Sequence, residues 1–256
     1  MDLFFDFSVT GLLAEVTNTL NPSDAVGFTF FVGYMSMFAA SVFFFFEMST
    51  VTAKWRTSLL VSGLITMIAA VHYYYMRDYY LTTGDNPTVY RYIDWTLTVP
   101  LMCVEFFLIL RPAGAKQSMM WRFIAASVLM LVAGYIGEAF YADNGTMNII
   151  WGFISTLGWA WIIYEVWAGS AKQLAAKTDS DAVKKGFRNL TLFATIGWGI
   201  YPIGYMMLPG NFLSSFADPS SMDLVYNIGD AINKIGFGLV VYATAKAETA
   251  RLKATA

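Results

Sequence analysis

Seven stretches of this chain are each long and apolar enough to cross a bilayer as a helix, which takes roughly 20 residues. They cover about 25–48, 55–78, 88–110, 119–141, 147–168, 187–208 and 222–245. The segments between them carry turn and loop signals such as "TTGDNPT", "RPAGAKQS" and "ADNGT". Pro22 and Pro87 suit helix starts, and Pro209-Gly210 suits a stop. With 57% hydrophobic and 13% charged residues, the chain is too apolar for an ordinary soluble domain. The reading is an all-α membrane protein: one seven-helix bundle over 22–248, an N-terminal segment at 1–21 and a tail at 249–256.

The basic residues give the expected orientation. Thirteen of the sixteen fall at the first, third and fifth connections and in the C-terminal tail. Asp2, Asp6, Glu15, Asp24, Asp85, Asp143, Asp218 and Asp223 fall on the other side. The excess of Lys and Arg on cytoplasmic loops places the N-terminus outside and the C-terminus in the cytoplasm of a cell's plasma (inner) membrane. The first 20 residues lack a basic leader, so no cleaved signal is expected there. They fit a short amphipathic helix on the outer surface, and equally a disordered tail. Cys103 stands alone, so there is no disulfide framework.

Charge inside the apolar segments is where chemistry is sought, because an ionisable residue at membrane depth is costly to keep. The seventh segment, "LVYNIGDAINKIGFGLVVYATA", holds Lys234 one helical turn after Asp230. Two readings are open. The pair forms a buried salt bridge that organises the bundle, or the desolvated lysine condenses with an aldehyde and the carboxylate serves as counter-ion.

The third segment, "YRYIDWTLTVPLMCVEFFLIL", carries Arg91, Asp94, Thr98 and Glu105. Arg91, Asp94 and Thr98 form one stripe, and Glu105 continues it roughly 16 Å further along the axis. Asp94 then lies in the outer half and Glu105 in the inner half. Arg91 and a cationic imine would favour an ionised Asp94, whereas the apolar surroundings "VEFFLIL" would favour a protonated Glu105. The pair is either the two ends of a proton path or a polar seam between helices.

"RYIDWTLTVPLMCVEFFLIL" together with "YNIGDAINKIGFGL" resembles the microbial rhodopsins, in particular the proteorhodopsins. The similarity extends from about residue 24 over nearly the whole chain and includes "AKWRTSLLVSGLIT", "TGDNPTVYRYIDW", "YEVWAG" and "GWGIYPIGY". The resemblance implies that Lys234 carries all-trans retinal as a protonated Schiff base, with Asp94 and Asp230 as counter-ions. It implies that Asp94, Thr98 and Glu105 are proton acceptor, hydrogen-bonding partner and cytoplasmic donor, and that Arg91 tunes the outer half-channel. His72, 22 residues before Asp94, would modulate the acceptor, although a lone buried histidine is also an ordinary polar contact. Glu138 matches an outer glutamate implicated in proton release, or is a plain interfacial charge.

The implied retinal pocket contains Trp95, Thr98, Met102, Ser155, Trp159, Trp198, Tyr201, Pro202, Tyr226, Asp230 and Asn233. Apolar Met102 at the family's colour-tuning position implies green absorption. Gly152 stands where the family often has a bulky aromatic residue, which implies a side opening for a carotenoid antenna; the other reading is helix packing by a small residue. The implied partners are membrane lipid and further copies of the chain in a pentamer or hexamer. No metal, nucleic acid or soluble substrate other than protons is expected. The activity implied is a light-driven outward proton pump, a transporter rather than an enzyme. Two alternatives are a slow-cycling photosensor that signals through a partner and, from another class, a seven-helix receptor or carrier for a diffusible ligand. A sodium pump would need a second acid in place of Thr98, and a chloride pump would lack the acid at Asp94.

Overall fold

The computed structural model describes residues 20–21, 23–208, 211–216 and 219–254. The expected N-terminal surface helix, Pro22 and the Pro209-Gly210 stop lie outside the described residues. Nine α-helices occur among them: α1 (Ala25–Glu47), α2 (Ala53–Thr83), α3 (Thr88–Leu110), α4 (Gln117–Tyr135), α5 (Gly145–Trp167), α6 (Ser170–Lys177), α7 (Asp181–Leu192), α8 (Ile200–Met206) and α9 (Pro219–Ala254). No strand occurs among the described residues. One wide, π-type turn at Ile136–Phe140 extends α4, and another at Phe193–Gly197 leads α7 into α8. The nine helices therefore build seven rods, with α7 and α8 as one interrupted rod and α6 as a short extra piece.

Local chemistry explains the ends. The Asp24 carboxylate accepts the Gly27 N–H at 2.9 Å and opens α1. The Asn144 side chain does the same for the Met147 N–H at the start of α5. Gly84 closes α2 at φ +76°, a conformation that costs a residue without a Cβ little, and its N–H reaches Tyr80 O at 2.8 Å. Ser180 caps α7 through the Val183 N–H at 3.1 Å. That cap starts α7 at Asp181, inside the polar stretch read from sequence as a connection, and α6 forms in the same stretch.

Five stretches, Ala25–Thr50, Ala53–Thr83, Thr88–Ala113, Gln117–Phe140 and Gly145–Lys177, are long and apolar enough to cross a membrane by length and composition. The other two rods fall short for different reasons. One is broken by the turn at Phe193–Gly197, and α9 carries Asp223, Asn227, Asp230, Asn233 and Lys234 along its path.

Burial runs opposite to that of a soluble domain. Phe46, Phe153 and Ile196 are 76%, 65% and 71% exposed, while Asp94, Thr98, Glu105 and Asp230 are wholly buried. In hydrocarbon an apolar exterior costs nothing, and polar groups are kept where other helices can bond them. The rods form a closed ring in which α9 packs against α1, α2 and α7. Because α3 touches α2, α4, α7 and α9, it lies inside that ring, and its acids are enclosed from several directions.

Candidate functional site

Two helices supply the centre of the site. On α9, Asp230 and Lys234 are one turn apart, so their side chains lie on one face. On α3, Asp94 faces them. Lys234 Nζ lies 2.5 Å from Asp94 Oδ2 and 2.5 Å from Asp230 Oδ2. All three residues are buried. Removing three charges from water is tolerable only because the ammonium is shared between two carboxylates.

Neighbouring helices orient the acids. The Tyr201 hydroxyl donates to Asp230 Oδ1 at 2.7 Å. His72 Nδ1 lies 2.9 Å from Ile68 O and 3.6 Å from Asp94 Oδ1. That Asp94 oxygen has no hydrogen-bond partner. Thr98 donates to the backbone carbonyl of Asp94 at 2.9 Å rather than to its carboxylate. The threonine thus fixes the turn on which the acid sits.

A cavity of about 660 Å³ adjoins this cluster. Trp95, Gly152, Ser155, Trp159, Trp198, Tyr201, Pro202 and Tyr226 line it, all of them expected from the sequence. Trp95 meets Tyr201 and Tyr226 edge-on, with ring centroids 4.9 and 5.6 Å apart. Tyr201 therefore connects the two regions: its ring forms wall and its hydroxyl holds Asp230. Ile149, Phe153, Met206 and Phe212 line the cavity on the lipid side, between α5 and α8.

Besides Asp230 and Lys234 of the charged cluster, three expected pocket residues do not line the cavity. Met102 is buried in the apolar core. Thr98 is held by the α3 backbone, as described above. Asn233 donates to Gly197 O at 2.9 Å. The wide turn explains the last contact. Trp198 N bonds Phe193 O, a five-residue step, and the turn leaves carbonyls free of the regular helical ladder. Trp159 Nε1 takes Ala194 O at 2.9 Å and Asn233 takes Gly197 O, so α5 and α9 hold the turn from both sides.

Arg91 corrects an expectation. It does not pair with Asp94; its Nη2 lies 2.7 Å from Asp223 Oδ1 and 3.0 Å from Asn227 Oδ1. Helical side chains lean toward the N-terminus of their helix, so the long arginine extends away from Asp94 despite the three-residue spacing. Its guanidinium also lies over Phe30 and Tyr226, 5.3 and 5.4 Å from the ring centroids. Nearby, Glu138 is half-buried and accepts the Tyr92 hydroxyl at 2.8 Å and the Thr88 hydroxyl at 3.4 Å.

Glu105 stands apart. Its Oε1 accepts Ser62 Oγ at 3.2 Å, its Oε2 has no partner, and no cation contacts it among the described residues. Sequence reasoning passed over Asp223 and Asn227 as partners of Arg91, and Ser62 as partner of Glu105. Spacing was the available signal. Positions 223, 227, 230 and 234 fall on one face of α9, and Ser58, Ser62 and Thr66 on one face of α2.

The model of the bacteriorhodopsin-like protein family matches residues 24–247. The chain is 43% identical over 232 residues to a green-light absorbing proteorhodopsin from Gamma-proteobacterium EBAC31A08, covering 90% of each chain. It is also 43% identical over 241 residues to a blue-light absorbing proteorhodopsin from Gamma-proteobacterium Hot 75m4, covering 92% of each. Among solved structures, the blue light-absorbing proteorhodopsin from Med12 is 38% identical with a TM-score of 0.74, covering 88% of this chain and 100% of that one. Xanthorhodopsin, described as a light-driven ion pump with dual chromophore, is 29% identical with a TM-score of 0.80, covering 91% and 98%. A buried lysine between two carboxylates beside an aromatic cavity, in a bundle of seven rods, agrees with these matches: the chain belongs to the bacteriorhodopsin-like family and is a microbial rhodopsin related to the proteorhodopsins.

Proposed function

We propose that this protein is a light-driven outward proton pump with all-trans retinal held covalently at Lys234. The observation that carries this reading is the shared ammonium of Lys234, placed between acids of two helices beside the aromatic cavity. The donor set suits retinal: an amine for its aldehyde, carboxylates for the resulting positive charge, and tryptophan and tyrosine rings for a flat apolar polyene. When bound, retinal supplies the absorption of light and the change of geometry at the lysine nitrogen.

The residues of the chain then divide the proton work. Asp94 Oδ2 and Asp230 Oδ2 lie equally close to Lys234 Nζ, and Asp94 is the acceptor in this reading because its other oxygen has no hydrogen bond and faces His72. Asp230, held by Tyr201, remains the fixed negative charge. Glu105 is dry and without a cationic partner, which suits it to hold a proton and return it to Nζ. Arg91, anchored on Asp223 and Asn227, keeps a positive charge on the exit side of Asp94 and favours release in that direction. Glu138 accepts the hydroxyl of Tyr92, which lines the cavity, and is the candidate for release. The Lys and Arg distribution puts the α9 C-terminus in the cytoplasm, so that movement from Glu105 to Asp94 is outward.

Three finer features belong to the same proposal. Met102 is apolar, which supports green absorption, and Met102→Gln is expected to move the band to the blue. Gly152 lies against Tyr205, where a Cβ would fall 2.6 Å from its ring, and the neighbouring cavity wall faces lipid. The close Tyr205 ring suits the reading of helix packing by a small residue, while the lipid-facing cavity wall beside Gly152 supports a carotenoid antenna at the α5–α8 seam. The chain works as a multi-pass protein of the plasma (inner) membrane, surrounded by lipid and assembled as a pentamer or hexamer.

The test is expression with all-trans retinal. A green-absorbing band should form, vesicles or cells should export protons under green light, and a protonophore should abolish the signal. A protein that stays colourless, or a coloured one whose cycle lasts seconds and moves no protons, would refute the pump.

A further inference from the structure

Glu105 can hand a proton to the site only if it is refilled, yet the side of it nearest the α9 C-terminus is shut. Phe106 of α3 meets Phe187 of α7 and Phe237 of α9 edge-on, with ring centroids 6.0 and 5.8 Å apart. Beyond them, Gly186 brings α7 so close to its neighbours that a methyl group there would collide with the Thr244 hydroxyl and fall 2.9 Å from Ile109 Cδ1. These ring and side-chain contacts close α7 onto α3 and α9, and the buried polar groups left at this level are few, the Thr244 hydroxyl and Ser58 among them. A wider path for refilling opens where α7 and α9 part.

One contact ties those two helices just beyond the seal. Ser180 Oγ donates to Glu248 Oε1 at 2.5 Å, and both residues are buried. The same hydroxyl oxygen accepts the Val183 N–H and so caps α7. Arg251 fixes the glutamate with two hydrogen bonds, at 2.9 Å to Oε1 and 3.0 Å to Oε2. Thr249 accepts the Thr52 N–H at 3.1 Å, which anchors the end of α9 to the start of α2. With α9 held from another side, loss of the Ser180 contact loosens the start of α7 against α9, while the packing of α7 on α3 and α9 further along remains.

We propose that Ser180 and Glu248 form a clasp that holds the seal over Glu105 shut, and that opening this clasp sets how fast Glu105 regains its proton. Both are positioning residues that act through the α7–α9 seam, and the inference rests on Glu105 being the internal donor. Burial alone would push the Glu248 carboxyl up. The hydrogen bonds from Arg251 and Ser180 and the charges of Arg251 and Lys54 outweigh it, so the carboxyl stays below the usual glutamate range and ionised at neutral pH. A charge-assisted hydrogen bond is stronger than a neutral one, which gives the clasp a measurable hold.

The test separates capping from clasping. Ser180→Asn keeps a cap and a donor toward Glu248, whereas Ser180→Asp keeps the cap and sets a carboxylate against a carboxylate. In the pigment, proton uptake after a flash, followed with a pH-sensitive dye, should speed up about tenfold in Ser180→Asp, the rate equivalent of one charge-assisted hydrogen bond. Ser180→Asn should stay near the parent rate. In the dark, amide exchange over 181–187 should rise in Ser180→Asp and not in Ser180→Asn. If Ser180→Asp fails to fold, Glu248→Ala removes the acceptor and leaves the cap intact, with the same expected effects. Equal uptake rates and equal exchange in the capped variants would overturn the clasp. Should Glu105→Gln leave proton uptake unchanged, the donor reading fails instead, while the dark exchange comparison still decides whether the contact holds α7.

Discussion

Asp94 and Glu105 lie on the same helix and near the same stripe, and neither is exposed, yet their surroundings share almost nothing. Asp94 meets a lysine from α9 and faces a histidine from α2, in a cluster that Tyr201 extends to the cavity wall. Glu105 has no cation beside it among the described residues and accepts from Ser62, and the next residue, Phe106, packs on Phe187 and Phe237. Burial therefore does not assign a role to a membrane carboxyl. The groups that neighbouring helices bring to it do, because only they can compensate a charge that water cannot reach.

The sharpest way to break this contrast is to remove what makes the Asp94 side polar. Lys234→Ala leaves two buried carboxylates without their shared cation. Colour should be lost completely with added retinal, and a destabilisation of about 3–5 kcal/mol should appear in thermal unfolding. Asp94→Asn keeps the shape and removes the acceptor. Retinal should still bind, while light-driven proton export falls about 10²-fold or more, measured as acidification of a vesicle suspension.

On the Glu105 side the effects should be smaller. Glu105→Gln should leave the band in place and slow the return of the proton to Lys234 Nζ by about 10²-fold, read as delayed recovery of the visible absorbance after a flash. Ser62→Ala removes the 3.2 Å hydrogen bond to Glu105 Oε1. A change of about 0.5–1.5 kcal/mol corresponds to a shift of at most about tenfold in the same recovery. Were Ser62→Ala to match Glu105→Gln, the serine would be part of the proton path rather than a support, and the contrast between a crowded and a sparse carboxyl would fail.

Much of this was legible along single helices. A run of about twenty apolar residues commits the backbone to bonding itself, so five of the rods follow from length and hydropathy, while the interrupted α7–α8 rod and the polar-striped α9 do not meet that measure. The stripe of Asp94, Thr98 and Glu105, and the pairing of Asp230 with Lys234, follow from helical periodicity. The aromatics Trp95, Trp159, Trp198, Tyr201 and Tyr226 were legible through family resemblance, and all five line the cavity, whereas Thr98, Met102 and Asn233 do not. Spacing misled at Arg91, because distance along the helix says nothing of the direction in which a long side chain leans.

By itself, the sequence determined which residues share a helix face and that those faces cannot point into lipid, since the period of the helix and the cost of charge in hydrocarbon act on each segment alone. Tertiary structure decided the pairings: Lys234 with Asp94 across two rods, Arg91 with Asp223, Asn233 with the freed carbonyl of Gly197, and Ser180 with Glu248. Each of these joins residues far apart in the chain. A contact between helices depends on how seven rods rotate and slide to pack, and no period within one rod encodes that.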